Sequence, residues 1–130
     1  MALWNRKKKG NGNELAVADW KVLSEAQQLD HIVEQSNEQP VILFKHSTRC
    51  GISSAAKFRL ESAWDFSADE AQLYYLDLLA YRPISNAITE RFGVFHQSPQ
   101  VIVISKGKAV YDSSHHSINV ADLRKAIGAL

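Results

Sequence analysis

Hydrophobic and polar positions change their period along the chain, which predicts alternating strands and helices. Apolar residues run continuously or alternate over short stretches, and between these stretches they recur at steps of three and four. The first pattern predicts strands over residues 20–23, 41–46, 73–79, 101–105 and 109–112. The second predicts helices over about 25–36, 52–64, 83–92 and 120–130.

The stretch VILFKH, residues 41–46, is an almost continuous apolar run of strand length. Such a run is typical of a strand that is covered on both faces, as in a central parallel position. Lys106-Gly107-Lys108 supplies a turn, so the strands on its two sides should form an antiparallel hairpin. The order β-α-β-α-β-α-β-β-α predicts an α/β fold with a central mixed sheet flanked by helices. This is the element order of the thioredoxin fold.

Several side chains mark the expected ends of the helices. Ser24, with Gln27 three residues later, has the pattern of a capping box and predicts a helix start near residue 25. Pro83 suits the first turn of a helix and Gly93 its end, while Asn119 is placed to cap the last helix. The buried stripe of the second helix is predicted to be Ile52, Ala56, Leu60 and Ala63.

Composition and charge narrow the class of protein. A chain of 130 residues, 45% hydrophobic and 22% charged, is long enough for one globular domain. We expect this domain over residues 15–130, after a flexible basic tail at 1–14 that contains the run Arg6–Lys9. The net charge of +1 gives no overall attraction to nucleic acid. No apolar run approaches the ~20 residues that span a bilayer, so no membrane association is expected.

Residues 47–54, STRCGISS, contain the single cysteine of the chain, Cys50. One cysteine cannot form an internal disulfide, which fits a reducing compartment and a cytoplasmic location. Cys50 falls where a strand should pass into a helix, and unpaired N–H groups at a helix N-terminus favour a thiolate. Arg49 and Lys45 would add positive potential if their side chains turn inward. A polar, glycine-containing turn is a poor place for a buried cysteine that only fills space, which favours a catalytic thiol.

Ser53 stands three residues after Cys50, where many redox proteins carry a second cysteine. One helical turn should bring its hydroxyl to the same edge as the sulfur, where it could donate a hydrogen bond to the thiolate. A hydroxyl cannot resolve a mixed disulfide. Any redox cycle through Cys50 therefore needs a thiol from a small molecule or from a partner protein.

Pro99 lies directly before a predicted strand, in the segment HQSPQVIVIS. The sequence leaves open whether the Ser98–Pro99 bond is cis or is an ordinary trans bond at a strand start. In the thioredoxin fold a cis-proline loop faces the active-site cysteine, and the residue before the proline offers backbone groups to an extended ligand. If the fold is right, Ser98-Pro99 is that loop.

Two segments together resemble one family. FKHSTRCGIS is similar to the active-site segment of the bacillithiol-system monothiol bacilliredoxins, the YtxJ family, and the segment from Phe92 to Ile118 is similar to their second half. The resemblance covers roughly residues 20–130. This chain departs from many of these relatives at Gly51, where they have proline, and also at Arg49.

The resemblance implies a reaction and its partners. Cys50 would remove bacillithiol, a glucosaminyl-malate-cysteine thiol, from mixed disulfides on client proteins, with Ser53 assisting. A second bacillithiol would then release Cys50, and a bacillithiol disulfide reductase would take part indirectly. Bacillithiol is a co-substrate in this scheme, with no bound cofactor and no metal. The expected substrate-binding residues are Arg49, Gly51, Ser98, Pro99, Lys45 and His115.

Two other functions stay open on the residues alone. The chain could act like a glutaredoxin with glutathione or another small thiol, or it could be a thioredoxin-fold binding module whose thiol is incidental. His115 and His116 could contact a ligand near the proline loop, or simply belong to a solvated loop under the last helix. The histidines and Cys50 show no paired spacing that supports a closed metal site.

Overall fold

The computed structural model describes residues 18–130, so the basic tail predicted at 1–14 lies outside the described residues. Five strands form one sheet in the order β1-β3-β2-β4-β5. Their bounds are Lys21–Val22 (β1), Val41–His46 (β2), Gln72–Asp77 (β3), Gln100–Ser105 (β4) and Lys108–Ser114 (β5). The predicted α/β class with a mixed central sheet is confirmed.

The sheet changes direction at its middle strand. β3 runs parallel to both β1 and β2, whereas β4 runs antiparallel to β2 and to β5. All six residues of β2 are buried, as its apolar run predicted. Lys45 of β2 pairs with Gln100 at the start of β4, so the end of β2 and the segment before β4 meet at one edge of the sheet.

Four helices cover the two faces of the sheet: α1 (Gln28–Gln35), α2 (Gly51–Ala63), α3 (Arg82–Phe92) and α4 (Val120–Gly128). α1 and α3 pack on one face through Ile32 and Ile88, and α2 and α4 pack on the other through Leu60 and Leu123. Burial of these two apolar layers supplies the main driving force for folding. No helix among the described residues is long and apolar enough to cross a membrane.

Three of the predicted helix ends are confirmed, among them Pro83, which lies in the first turn of α3. The side chain of Asn119 accepts a hydrogen bond from the backbone N–H of Asp122 at 2.8 Å, which caps α4. Gly93 follows α3 with a φ of 67°, and its N–H donates to the carbonyl of Thr89. A left-handed residue at this position favours glycine because a Cβ would be strained there.

The predicted capping box at Ser24 and Gln27 is wrong. α1 begins later, at Gln28, and it is the side-chain oxygen of Gln28 that accepts hydrogen bonds from the backbone N–H groups of Ser24 (2.8 Å) and Glu25 (2.9 Å). A short turn with hydrogen bonds over three residues fills the interval. Gln28, in the first turn of α1, thus satisfies two backbone N–H groups that lie before the helix.

The predicted buried stripe of α2 is also partly wrong. Ile52 is 46% exposed, and Ala63 is exposed as well. The buried residues of the helix are Ser53, Ala56 and Leu60. Because α2 begins at Gly51, its third residue faces the sheet, and a serine takes the place that the apolar pattern gave to Ile52.

Candidate active site

Cys50 stands at the junction of β2 and α2 and is the N-cap residue of α2, with an extended backbone (φ −104°, ψ 124°). Its carbonyl accepts the first helical hydrogen bond, from the N–H of Ser54 at 3.0 Å. Its own N–H donates to the carbonyl of Ser47 at 3.1 Å. These two bonds fix the backbone on both sides of the sulfur, and the cysteine stays partly exposed.

The pKa of the Cys50 thiol is lowered, first by the backbone N–H of Ser53 and next by that of Ile52. The hydroxyl of Ser53 adds a smaller lowering, and partial desolvation opposes all three. These donors are the free N–H groups that every helix presents at its N-terminus. The location of the cysteine, more than any one side chain, favours the thiolate.

Ser53 is fully buried, and its hydroxyl oxygen accepts a hydrogen bond from the backbone N–H of Ser47 at 3.3 Å. The residue therefore ties the chain before Cys50 to the first turn after it. The sequence predicts Ser53 on the same edge as the sulfur, and its backbone N–H and hydroxyl both lower the pKa of the Cys50 thiol. Its structural role as an acceptor for Ser47 was not anticipated.

The bond between Ser98 and Pro99 is cis, which answers the question that the sequence left open. Pro99 is buried, and its carbonyl accepts a hydrogen bond from the N–H of His115 at 3.0 Å. The loop directly precedes Gln100, the residue that pairs with Lys45 at the end of β2. Ser98 and Pro99 therefore lie at the same edge of the sheet as the segment that leads to Cys50.

Arg59 of α2 holds the segment after β5 in place. Its guanidinium donates to the carbonyl of His115 at 2.8 Å and to that of Ile118 at 3.2 Å. His115 has a φ of 55° and is the residue that bonds to Pro99. Arg59 thus links the helix behind the thiol to the proline loop, through a loop far away in sequence. Nothing in the local sequence distinguishes Arg59 from a surface arginine.

Lys45 is placed differently from the sequence expectation. Its side chain has no exposed surface, so its ammonium cannot contact a ligand directly in this conformation. The ammonium lies 3.0 Å from Nδ1 of His96, and the hydroxyl of Ser85 lies 3.4 Å from the same nitrogen. Because successive residues of a strand point to opposite faces, Lys45 lies on the side of α1 and α3, away from α2. His96 itself is exposed, in the loop before Ser98.

Burial lowers the pKa of Lys45 to about 8. The pKa of His96 is also lowered, first by partial burial and then by the positive charges of Lys45 and Arg82. An ammonium has only donors, so Nδ1 of His96 must accept, which places the ring proton on Nε2. Lys45 forms no ion pair with a carboxylate within residues 18–130.

His46, the next residue of β2, lies on the side of α2. It is 4% exposed, and its ring packs near Phe44 and Tyr75, with centroids 5.6 and 5.4 Å away. Burial lowers its pKa, and the positive charge of Lys57 lowers it further. Its Nδ1 is buried without a hydrogen-bond partner in the described part of the chain.

The other expected substrate-binding residues lie around the thiol with free surface. Arg49 and Gly51 are exposed on the two sides of Cys50, Ser98 is partly exposed, and His115 is partly exposed beside the proline loop. A Cβ added at Gly51 would meet nothing within 4 Å. Across residues 18–130, no three His, Cys, Asp or Glu side chains group closely enough to hold a metal ion.

Solved structures of other proteins have a similar fold. One solved structure, described as an oxidoreductase with a thioredoxin fold, is 31% identical, with a TM-score of 0.70 over 81% of this chain and 90% of that chain. Thioredoxin from Fasciola hepatica is 17% identical (TM-score 0.65; 84% of this chain, 97% of that chain). Thioredoxin f from spinach chloroplast is 19% identical (TM-score 0.65; 89% and 96%). The two thioredoxins establish the fold alone.

The fold and the single thiol at a helix N-terminus define the class of this protein. It is a thioredoxin-fold protein that carries out thiol redox chemistry. The family model described as "Monothiol bacilliredoxin BrxC" matches residues 21–123. The chain therefore belongs to the monothiol bacilliredoxin family, as the resemblance in its active-site segment predicted.

Proposed function

We propose that this protein is a monothiol oxidoreductase that removes bacillithiol from cysteine residues of client proteins. The observation that carries the proposal is the position of Cys50: partly exposed at the N-cap of α2, with its thiol pKa lowered by backbone N–H groups. The chain has no other cysteine. The thiolate is therefore favoured, and the second thiol of the cycle must come from solution.

The cycle has two exchange steps, each of which breaks one S–S bond and forms another. The thiolate of Cys50 attacks the bacillithiol sulfur of the mixed disulfide, and the client leaves as a thiolate that takes up a proton. A bacillithiol thiolate then attacks the bacillithiol sulfur on Cys50. Cys50 is released as a thiolate, and bacillithiol disulfide is the product for a separate reductase. The cycle consumes one free bacillithiol and leaves the number of S–S bonds unchanged, because the mixed disulfide of the client is exchanged for bacillithiol disulfide.

The groups around Cys50 fit these steps. The exposed guanidinium of Arg49 is available to the carboxylates of bacillithiol. The backbone of Ser98, before the cis-proline, is available to an extended client segment in the manner of an added strand. Gly51 leaves open space at the start of α2, which allows a bulky thiol to approach the sulfur.

The direct test is the intact mass of the protein after incubation with bacillithiol disulfide. We expect one bacillithiol adduct on the wild type and none on Cys50→Ser. The second step is tested by adding reduced bacillithiol, which should restore the original mass. Absence of the adduct on a folded wild-type protein would overturn the proposal.

Use of glutathione is the alternative within the same chemistry, and the test for it uses two substrates. The same client peptide is presented once as its bacillithiol mixed disulfide and once as its glutathione mixed disulfide. Faster release from the first supports the proposed co-substrate. Equal release from both would make the protein a general monothiol oxidoreductase of the glutaredoxin kind.

A further inference from the structure

A cleft of about 320 Å³ lies beside Cys50, between α2 and β3. We call it the His46 cleft; its polar lining consists of His46, Thr48, Ser54, Lys57, Glu61 and Tyr75. Thr48 and Ser54 belong to the segments directly before and after the cysteine, and the N–H of Ser54 bonds to the carbonyl of Cys50. The cleft is therefore within reach of a group attached to the sulfur.

The cleft and the proline loop lie on opposite sides of the thiol. In the sheet, β2 stands between β3 and β4. Tyr75 of β3 lines the cleft, whereas Ser98 and Pro99 precede β4. A ligand in the His46 cleft thus leaves the flank of the proline loop free for another chain.

The lining offers mixed donors and acceptors with no net charge. The carboxylate of Glu61 accepts hydrogen bonds from Lys57 at 2.9 Å and from the indole N–H of Trp20 at 2.7 Å. His46 contributes a buried Nδ1 without a partner in the described residues, and Tyr75 a partly buried phenol. A buried polar atom without a partner is rare in folded proteins and marks a place where a hydrogen-bonding group is missing.

These features fit a ligand with many hydroxyl groups, such as a sugar ring, better than a compact anion. The charges of Lys57 and Glu61 cancel each other, so the cleft has no excess of positive charge. Hydroxyl groups both donate and accept, which matches the mixed lining. The ring of Phe58, 70% exposed at the rim, gives an apolar surface of the kind that the face of a sugar can cover.

We propose that the His46 cleft holds the glucosamine ring of bacillithiol while the bacillithiol sulfur is bonded to Cys50, with the malate carboxylates outside the cleft, on the side of Arg49. This inference rests on the proposed function and adds to it the residues that recognise the co-substrate. In the exchange, the sulfurs of Cys50, bacillithiol and client stand nearly in line, so the body of the middle thiol must project sideways. With the client chain on the side of Ser98 and Pro99, the side of α2 and β3 is the one left for that body.

The test compares two disulfides that share the reacting cysteine but differ in the group beyond it. Bacillithiol disulfide carries glucosaminyl-malate, and cystine lacks it. The rate of adduct formation on Cys50 is measured with each, and the ratio of the two rates reports recognition of the extra group. The variants are Tyr75→Phe and Glu61→Gln, with Tyr81→Phe and Glu90→Gln on the opposite face of the sheet as matched controls.

We expect each cleft variant to lower the rate ratio about fivefold, the equivalent of one lost hydrogen bond of about 1 kcal/mol. The rate with cystine should stay unchanged in all variants, and the two control variants should keep the wild-type ratio. Equal falls with both disulfides would mean an effect on the thiol itself and would overturn the inference. So would an unchanged ratio in both cleft variants.

A second readout follows from the bond between Trp20 and Glu61. In a proton–nitrogen correlation spectrum, the indole signal of Trp20, assigned with Trp20→Phe, should shift when Cys50 carries bacillithiol and not when it carries cysteine. The same shift with both adducts, or with neither, would overturn the inference. If the wild type accepts cysteine but no bacillithiol, the proposed function fails as well, whereas insensitive variants on a protein that accepts bacillithiol overturn the cleft alone.

Discussion

The backbone N–H of Ser47 donates a hydrogen bond to the buried hydroxyl of Ser53, at 3.3 Å, across the segment that carries Cys50. A serine hydroxyl can accept two hydrogen bonds and donate one. Because the oxygen already accepts from Ser47, the hydroxyl proton is free to point to another acceptor. The thiolate of Cys50 is such an acceptor, and the hydroxyl of Ser53 does lower the pKa of that thiol.

Replacing Ser53 with cysteine should convert the monothiol site into a dithiol site. The new sulfur would stand in the first turn of α2, one turn from the N-cap Cys50. We expect mild oxidant to close an internal disulfide, seen as a mass loss of two hydrogens and the disappearance of thiols that react with a maleimide. Ser62→Cys, exposed near the far end of the same helix, is the control and should keep both thiols. Two reactive thiols in oxidised Ser53→Cys would contradict the shared edge.

The alkylation rate of Cys50 should rise with pH. Its midpoint should lie below that of a free cysteine, which titrates at about 8.5. Only the thiolate is alkylated, and the pKa of this thiol is lowered. The rate with iodoacetamide should therefore reach half of its plateau at a pH below about 8.5. Ser53→Ala should move the midpoint upward only slightly, because backbone N–H groups are the main cause of the lowering. A wild-type midpoint at or above that of a model thiol would remove the support for catalysis.

Gly51→Pro should stabilise the protein by about 0.5–1 kcal/mol, because proline restricts the unfolded chain at a position that already suits it. Gly51 is the first residue of α2, where proline is favoured, and a Cβ there would meet nothing within 4 Å. Cys50 has the extended backbone that a residue before proline requires.

The thiol of Gly51→Pro should keep a lowered pKa, since the N–H groups that lower it belong to Ser53 and Ile52. Urea unfolding measures the gain in stability, and the dependence of the alkylation rate on pH measures the pKa of the thiol. Gly51→Ala is the matched control, which adds the Cβ without fixing φ. A loss of stability in the proline variant alone would mean that the start of α2 differs from the one described.

The elements of the fold and the place of the thiol could be predicted because each depends on local sequence. The apolar run over 41–46 defined a buried central strand, and the single cysteine after it fell at the start of the next helix. The start of α1 was misplaced because the donors before it are satisfied by Gln28, a residue that no local rule separates from Gln27. Errors of this kind concern the choice between neighbouring side chains, which tertiary packing decides.

The surroundings of the thiol depend on contacts between residues far apart in sequence. Arg59 bonds to carbonyls more than 50 positions later, and its sequence neighbours give no sign of it. Lys45 and His46 are adjacent in a strand, so they point to opposite faces and reach different neighbours. Their charge near Cys50 was apparent from the sequence, but which groups bury them was not.

Removing the contact made by Arg59 should loosen the proline loop. Arg59→Met keeps an unbranched side chain in place of the methylene stem of arginine. It removes the charged donor to the carbonyls of His115 and Ile118. Hydrogen bonds to charged groups contribute about 1.5–3 kcal/mol, so we expect the free energy of unfolding to fall by an amount in this range. Faster amide hydrogen exchange at His115, whose N–H bonds to Pro99, is the local signature. Unchanged exchange there would contradict the link from α2 to the loop, and Arg91→Met, on an exposed ion pair, is the control.

Lys45→Met should make the protein more stable at neutral pH. Burial lowers the pKa of Lys45 from 10.5 to about 8, which corresponds to a cost of about 3 kcal/mol for holding the charged form in the folded state. The unfolded chain binds the proton up to about 10.5 and the folded chain only up to about 8, so the unfolded state holds more protons between these values. Wild-type stability should therefore rise with pH across this window, and the cost is fully present below it.

The methionine variant has no such proton to lose, so its free energy of unfolding should lack this rise. At pH 7 it should exceed the wild-type value by about 1–3 kcal/mol, less than the full cost because the contact with His96 is lost. Urea unfolding at pH 7 and at pH 9.5 measures both quantities, with Lys106→Met, an exposed lysine, as the control. A variant less stable than the wild type at pH 7 would mean that the bond from Lys45 to His96 outweighs the cost of burying the charge.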